Sequence, residues 1–548
     1  MTNQSENTGV GSDREGAVHR QTSPRFKWKS GTIIGCAGIS GIAGINALMP
    51  DQTMQIIGMY YGVAVWTVLT LFWWLFFSGT TWGLRLGLPA AVVTAAISSW
   101  LGFVSRLDFG GDMSPKFVWR WQASANVKRD AWLKNQVDTT TPDPALSSPF
   151  AVAANDWPRY RGADGLGIVR EPLTIRDWKQ HPPQQLWRHP IGEGWSSFAV
   201  AGSRLFTQEQ RRKYECIVCY HADSGNELWV HRDEVRYETA MGGIGPRATP
   251  TVTDSAVYAV GAKGLLTCLD PVTGEQKWQR NIAGDADASL PQWGFSGSPM
   301  IWKDTVIVIA GGSENRGVLA YDRYNGNIVW GSGIHRAGYS SPRVETINGK
   351  SVLLAFHGDG LTAMSPDSGV PQWNYPFTNM YHINVAQPIL VGTVLFVGTG
   401  YDGRCVALDP SNVSNGRPTE IWTPNRNLNL KFNEAVAHGG YVYGLDDGIL
   451  CCINITTGKR EWKGGRYNFG QMLLWKDVLL IQAEKGYVAL AEASARKFTE
   501  ITRFSALKTR DPASAKVWNV PVVNKSRLYI RSSREAACFQ LPQLPANN

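Results

Sequence analysis

An eight-bladed β-propeller carried behind a helical membrane anchor is the fold this 548-residue sequence predicts, and three observations lead there. A tryptophan returns at a fixed offset: Asp270, Gly274 and Trp278 stand four residues apart each time, as do Asp322, Gly326 and Trp330. The same frame holds for His221-Gly225-Trp229, Ser365-Gly369-Trp373 and Asn454-Gly458-Trp462. A unit of short strands recurring every 37 to 52 residues is the mark of propeller blades. Second, three uncharged runs precede the repeat: Gly31 to Pro50, Gln52 to Leu84 and Leu86 to Ser105. Third, 57 glycines and 23 tryptophans fit many tight turns and a repeated aromatic, while only 18% charged residues fits a partly apolar chain.

In chain order, residues 1–30 are polar, carry Arg14, Arg20, Arg25, Lys27 and Lys29, and read as a disordered cytoplasmic tail. Residues 31–105 read as an anchor of about three transmembrane helices, near 31–50, 55–77 and 84–104. Each approaches the roughly 20 residues needed to cross a bilayer. Trp73, Trp74, Trp82 and Trp100 lie near the ends, where amphipathic rings favour the interface. Gly31, Gly35, Gly38, Gly41 and Gly44 give the first run a small-residue stripe suited to close helix packing in lipid. A signal peptide would carry one short apolar core rather than three. Ile33-Ile34-Gly35-Cys36 looks like a lipoprotein cleavage box without the apolar region that should precede it. The bias of Lys and Arg to the N-terminal side places that tail in the cytoplasm. Three crossings then put the rest of the chain in the periplasm, anchored to inner-membrane lipid.

Residues 106–155 form a juxtamembrane segment and linker. Phe117 to Lys134 is expected as an amphipathic helix with Trp119, Trp121 and Trp132 at the interface. Thr139 to Asn155 has linker composition.

Residues 156–541 are the propeller, with a tail at 542–548. The aspartate slot opens a turn in which an acceptor side chain bonds the backbone two residues on. The glycine supplies a positive-φ position, and the tryptophan a flat face to pack on the neighbouring blade. Counting that slot gives His221, Asp270, Asp322, Ser365, Asp409, Asn454, Ala491 and Gln540, hence eight blades. His221 should make the aspartate's turn contact. The fifth copy has five extra residues before Trp422, so Ser411 to Pro418 should bulge as a loop. The seventh has lost its glycine and tryptophan, and the eighth ends at Leu541 without an outer strand. Gln185-Leu186-Trp187 supplies the missing strand and closes the ring, removing free sheet edges.

Two positions before each slot stand Cys219, Cys268, Ala320, Ala363, Ala407, Cys452, Ala489 and Cys538, so that position takes a small buried side chain. Equivalent cysteines of different blades lie beyond disulfide reach. Cys216 and Cys219 form a CxxC with no second pair to complete a zinc set. Cys451 and Cys452 face opposite sides of one strand. His357, His382 and His438, in or beside turns, lack metal-ligand spacing. The net charge of +9 is spread along the chain, which does not suit a nucleic-acid partner.

The repeat resembles the PQQ-like (pyrrolo-quinoline quinone) propeller superfamily. Asp270-Pro271-Val272-Thr273-Gly274-Glu275-Gln276-Lys277-Trp278 is similar to its tryptophan-docking motif almost residue for residue. Asp156-Trp157-Pro158-Arg159-Tyr160-Arg161-Gly162 looks like the lead-in segment of bacterial PQQ-binding-like repeat proteins. The resemblance covers about residues 156–541 and implies either of two functions. The superfamily holds quinoprotein dehydrogenases, some with multi-helix anchors, and non-catalytic propellers of the outer-membrane β-barrel assembly machinery that bind partners.

A dehydrogenase of this kind needs Ca²⁺ bridging protein and quinone, and calcium takes six to eight oxygens. Those groups should come from the starts of the innermost strands, facing the channel mouth. There the sequence offers Ser197, Thr249, Ser298, Ser341, Gln387, Glu434, Gln471 and Val520. One residue earlier stand Ser196, Ala248, Gly297, Ser340, Ala386, Asn433, Gly470 and Asn519. The ring is small and neutral apart from Glu434, with no aspartate base, no c-type haem CxxCH and no cysteine pair placed in a turn. The expectation is therefore a membrane-anchored, non-catalytic binding or scaffold module with no cofactor, whose partner is a protein or cell-envelope ligand. Candidate channel-mouth binding residues are Asn433, Glu434, Gln387, Gln471 and Asn519. The alternative is a PQQ-dependent membrane-bound alcohol or sugar dehydrogenase, with Glu434 and Asn433 on calcium.

Overall fold

A computed structural model describes residues 26–48, 52–111, 113–135, 149–239, 241–401, 403–507 and 516–543. The chain divides into two compact units, Met1–Phe103 and Val104–Asn548.

The first unit holds three helices: α1 (Trp28–Leu48), α2 (Gln52–Phe77) and α3 (Trp82–Phe103). Two glycines of α1 meet tryptophans of α2. A Cβ at Gly38 would lie 2.2 Å from Trp66, and one at Gly31 2.7 Å from Trp73. Gly35, Gly41 and Gly44 meet nothing, so only part of the glycine stripe packs. Within α2, Met54–Phe77 is long and apolar enough to span a bilayer, as is α3, and almost no side chain in either is buried. The glycine-rich α1 is a helix of sufficient length, with Lys29 in its first turn, and is not among the candidate spans of the described residues.

The second unit is the propeller, preceded by a hairpin of β1 (Val104–Phe109) and β2 (Pro115–Trp119) and by α4 (Ala125–Lys134). The continuous helix expected over Phe117 to Lys134 is thus corrected to a strand followed by a helix. Ser124 caps α4 by accepting from the Val127 amide. Trp132 stacks on His189 of the propeller at 4.2 Å rather than at an interface, whereas Trp121 stacks on Trp119 and is exposed. Most of the expected linker, through Ser148, lies outside the described residues; Phe150 packs against Phe206.

Eight sheets follow, seven of them built on four consecutive antiparallel strands and the eighth on three. Blade 1 begins at Ala199, blade 2 at Thr251, blade 3 at Met300 and blade 4 at Arg343. Blades 5 to 8 begin at Ile389, Val436, Gln471 and Val522. The outer strand of blade 8 is Gln184–Pro190, paired antiparallel with Glu535–Gln540, so strands from opposite ends of the propeller close the ring. Ile168–Val169 adds a parallel fifth strand to the inner edge of blade 7, a pairing the sequence did not announce.

The docking motif works between blades. The indole of Trp278 lies over Gly326 of the next blade, where a Cβ would come within 2.8 Å of the ring. Trp187, Trp229, Trp330 and Trp422 lie in the same way on Gly225, Gly274, Gly369 and Gly458. The indole N–H groups of Trp187, Trp229, Trp278 and Trp422 donate to Ala222 O, Pro271 O, Arg323 O and Ile455 O, 2.9–3.2 Å away. Each acceptor directly follows the next blade's slot residue. In the slot, Asp270 accepts from the Val272 and Thr273 amides, and Asp322 and Asn454 do the equivalent. His221 accepts from the Ser224 amide through Nδ1, the expected substitution.

The small position two residues before the slot pairs directly with the tryptophan. Cys219 faces Trp229, Cys268 Trp278, Ala320 Trp330, Ala363 Trp373, Ala407 Trp422, Cys452 Trp462 and Cys538 Trp187. In blade 7 Ala489 faces Arg503. The seven cysteines of the propeller are free and buried. Burial pushes the thiols of Cys216, Cys268, Cys451 and Cys452 up to about 12, which makes them inert hydrophobes. The insertion in blade 5 is not a loop. It lengthens the outer hairpin, with Ser414 paired to Arg417 across an Asn415-Gly416 turn of positive φ.

Candidate functional site

The site is built where the innermost strands begin, because eight blades converge there on one axis. The ring residues bond to one another. The amides of Ser197, Thr249 and Ser298 donate to the hydroxyls of Thr249, Ser298 and Ser341 at 2.9–3.0 Å. The Gln387 amide donates to Glu434 Oε2 at 2.9 Å, and the Glu434 amide to Gln471 Oε1 at 3.3 Å. Ser197 Oγ donates back to Val520 O. A side chain of one blade thus satisfies the backbone of its neighbour around most of the ring.

All five candidate residues are buried in this network. Gln387 Nε2 donates to Ser341 O, and Gln471 Nε2 to Phe432 O. Asn433 Nδ2 donates to Gly470 O, and Asn519 Nδ2 to Ser196 O. Glu434 is only 2% exposed. Its second oxygen accepts from Tyr160 OH at 3.2 Å, and Arg161 Nη1 stands 3.9 Å from the first. Burial raises its carboxyl above the ordinary range, opposed by Arg161 and by the Gln387 amide.

Tyr160 and Arg161 belong to the lead-in segment, which crosses the axis and staples blades together. Asp156 accepts from the Gly202 amide, and Trp157 exchanges backbone bonds with Val200. Pro158 O accepts from Val252 N, and Arg161 donates to Ala435 O at 2.7 Å. The Asp-Trp-Pro…Arg-Gly motif therefore has a mechanical role that its spacing alone did not reveal. A second lock joins blades 8 and 1: buried Arg531 donates to Thr207 Oγ1, Gln208 O and Gly192 O. Beside it, burial alone would raise Glu209, but Arg211 and Arg531 hold it near 2.

Above the ring, the linkers between blades carry aromatic side chains. Trp195 meets Trp518 at 4.6 Å, and Phe432 lies 4.8 Å from Trp518 and 5.2 Å from Phe469. The β1–β2 hairpin covers this half of the mouth. Arg106 pairs with Glu193 at 3.2 Å, and the Gly111 amide donates to Glu484, which also accepts from the Trp518 indole. A Cβ at Gly111 would overlap Phe469 at 2.3 Å, so the hairpin tip is seated at van der Waals contact. The other half, over blades 3 to 5, carries Trp293, Tyr339, Tyr381 and Tyr401, with Met380, Tyr381 and Ile334 exposed. Beneath it His335 stacks on His357 at 3.6 Å, and burial depresses both imidazoles. His382 contacts Asp359 at 3.2 Å, while His438 ends an inner strand. No group of three or more His, Cys, Asp or Glu suited to a metal occurs among the described residues.

The family model described as outer membrane protein assembly factor BamB matches residues 178–290 and 217–464. Outer membrane protein assembly factor BamB of Burkholderia pseudomallei (strain K96243) is 27% identical over 270 residues, covering 42% of this chain and 68% of that protein. Among solved structures, quinohemoprotein alcohol dehydrogenase from Comamonas testosteroni superposes with a TM-score of 0.52 at 13% identity, over 77% of this chain and 85% of that one. A europium-containing methanol dehydrogenase gives 0.52 at 11% identity, over 72% and 99%. At such identities these two likenesses concern the fold alone.

Proposed function

The chain belongs to the family of PQQ-like repeat propellers described as outer membrane protein assembly factor BamB, and from that premise we propose that it is a non-catalytic binding platform of the cell envelope. The observation that carries this reading is the commitment of the channel mouth to the fold. The side-chain N–H groups of Gln387, Asn433, Gln471 and Asn519 and the carboxylate of Glu434 bond neighbouring blades, though the side-chain carbonyls of Gln387, Asn433 and Asn519 do not, and this chain's own hairpin covers half of the opening. A calcium ion on Glu434 would have to displace the Gln387 amide, Tyr160 and Arg161 together. Such a substitution leaves buried donors unpaired, at about 1–3 kcal/mol each. In this reading the five residues are structural, and the partner is a protein that meets the uncovered linkers of blades 3 to 5. Those loops sit on a rigid scaffold, the usual place for binding residues.

The platform is held at the inner membrane by α2 and α3, with α1 as a third span, and the propeller lies in the periplasm. Domain limits follow as a tail to residue 30, an anchor to 105, a juxtamembrane segment to 155 and the propeller to 541.

The aromatic mouth favours a second reading, a PQQ-dependent dehydrogenase for alcohols or sugars. One experiment separates the two. The detergent-solubilised full chain is titrated with PQQ and CaCl₂, followed by quinone absorbance and by dye reduction with ethanol and glucose. The platform reading expects neither saturable quinone binding nor dye reduction. Turnover that disappears in Glu434→Gln would replace it with the dehydrogenase reading.

A further inference from the structure

At the opposite end of the channel, where the innermost strands of blades 2, 3 and 4 finish against the lead-in segment, lies a cavity of about 480 Å³. This is within the usual size of small-molecule sites, about 300–1,000 Å³. Its walls are uneven in chemistry. Val252, Met300 and Ile301 form an apolar side, and Arg159 and Glu345 bring charge to it.

The charges do not balance. Arg343 pairs with Glu345, so the carboxylate in the wall is already engaged. Asp164 is engaged as well, by Arg170 and by the Leu166 amide. Arg159 donates through Nε to Ala163 O at 3.0 Å, which fixes the plane of its guanidinium. Its terminal NH₂ groups have no hydrogen-bond partner among the described residues. Burial, and then the nearby Arg343 charge, lower the Arg159 guanidinium below its ordinary value, and the opposing pull of Asp164 and Glu345 does not restore it. A planar guanidinium fork held in this way matches a carboxylate or phosphate bound by two parallel N–H···O bonds, and the apolar wall beside it suits a carboxylate on an aliphatic chain.

We propose that this cavity binds a small aliphatic carboxylate, its head held by the terminal NH₂ groups of Arg159 and its chain laid on Val252, Met300 and Ile301. The hydroxyls of Thr346 and Ser351, which line the same cavity and make no hydrogen bond among the described residues, stand ready for a polar substituent. The site goes beyond the platform reading and does not depend on it, since it lies away from the covered mouth and uses none of its residues.

Hexanoate is the probe, with hexanamide as its neutral analogue of the same length. Binding to the full chain in detergent is measured by saturation-transfer NMR and calorimetry. Saturable hexanoate binding, at least tenfold tighter than hexanamide, is expected, and Arg159→Gln should abolish that preference without lowering the melting temperature. The wild-type comparison of the two ligands needs no variant, so a poorly folding Arg159→Gln protein leaves the result readable. Absence of saturable hexanoate binding, equal affinity for both ligands, or a preference that survives in folded Arg159→Gln overturns the proposal.

Discussion

At the scale of single residues, stability rests on pairs that span two blades. Trp278 bonds Arg323 O and covers Gly326, so its loss opens a cavity and leaves that carbonyl with the Tyr258 hydroxyl as its remaining donor. Trp278→Ala should cost about 3–5 kcal/mol, read as a shift in the denaturant midpoint. Gly326→Val attacks the same contact from the other side, adding a Cβ within 2.8 Å of the indole at φ 76°, and should also lower the midpoint. An unchanged midpoint in both variants would mean that the docking contact carries no stability. Three buried histidines set a second residue-scale expectation. Burial lowers His189 and His335 to about 4 and His357 to about 2. Each takes a proton more readily when unfolded, so its contribution is full above about pH 6.5 and drains away on acidification. Glu215 acts in reverse: raised by burial to about 7, it stabilises fully below its ordinary 4.5 and progressively less as the pH climbs to 7. Glu345 and Glu434, raised by burial as well, act in the same sense as Glu215, but the three imidazoles have their ordinary value near 6.5 inside this window, so the melting temperature should fall from pH 7 to pH 5. In Glu215→Gln that fall should steepen, and a flat profile in both proteins would refute the assignment.

At the scale of elements, the repeat was legible wherever one residue type recurred for one reason. The Cys/Ala position is such a case: it pairs with the docking tryptophan across the two outer strands, and only a small side chain leaves the indole free to reach the next blade. The mouth ring was legible as small and neutral. Its bonding was not, because whether Ser298 Oγ turns to water or to the Thr249 amide depends on a neighbour 49 residues away. The blade 5 insertion was misjudged since length argued for a loop, while Asn415-Gly416, a strong hairpin signal, passed unused. The β1–β2 hairpin was missed altogether. Its apolar and basic residues suit a membrane-side helix, and only the aromatic cage of Phe432 and Phe469 explains Gly111. That cage yields an element-scale prediction. Gly111→Val should unseat the tip, raising deuterium uptake across residues 104–119 while the blades keep theirs. Unaltered uptake in the variant would show that the hairpin is held by its ends alone.

At the scale of the whole molecule, two closures matter, one seen in the ring and one inferred from the anchor. Ring closure by Gln184–Pro190 makes a strand far from blade 8 in sequence complete that blade, and Trp187 then docks on Gly225 as Trp229, Trp278, Trp330 and Trp422 do on their neighbours. Nothing equivalent fixes the number of membrane crossings, and that number decides on which side the propeller stands. Met54–Phe77 and Trp82–Phe103 pass on length and apolarity, whereas α1, which carries five glycines and Lys29, is not among the candidate spans of the described residues. Two of those, Gly31 and Gly38, are filled by tryptophans of α2, so α1 buries part of its surface against a helix that is itself a candidate span. A helix packed in this way gains contacts in lipid that composition does not register. In the proposed topology the four basic residues before α1, with Lys29 in its first turn, keep the N-terminus in the cytoplasm, and three crossings would deliver the propeller to the far side. Alkaline phosphatase, active only outside the cytoplasm, should therefore be active when fused to the C-terminus of the full chain, and a fluorescent protein that folds only in the cytoplasm should stay dark there. Deleting residues 28–48 should exchange the two signals, because an even number of crossings returns the propeller to the side of the tail. If the deletion changes neither signal, α1 lies along the membrane and the parity assigned here is wrong.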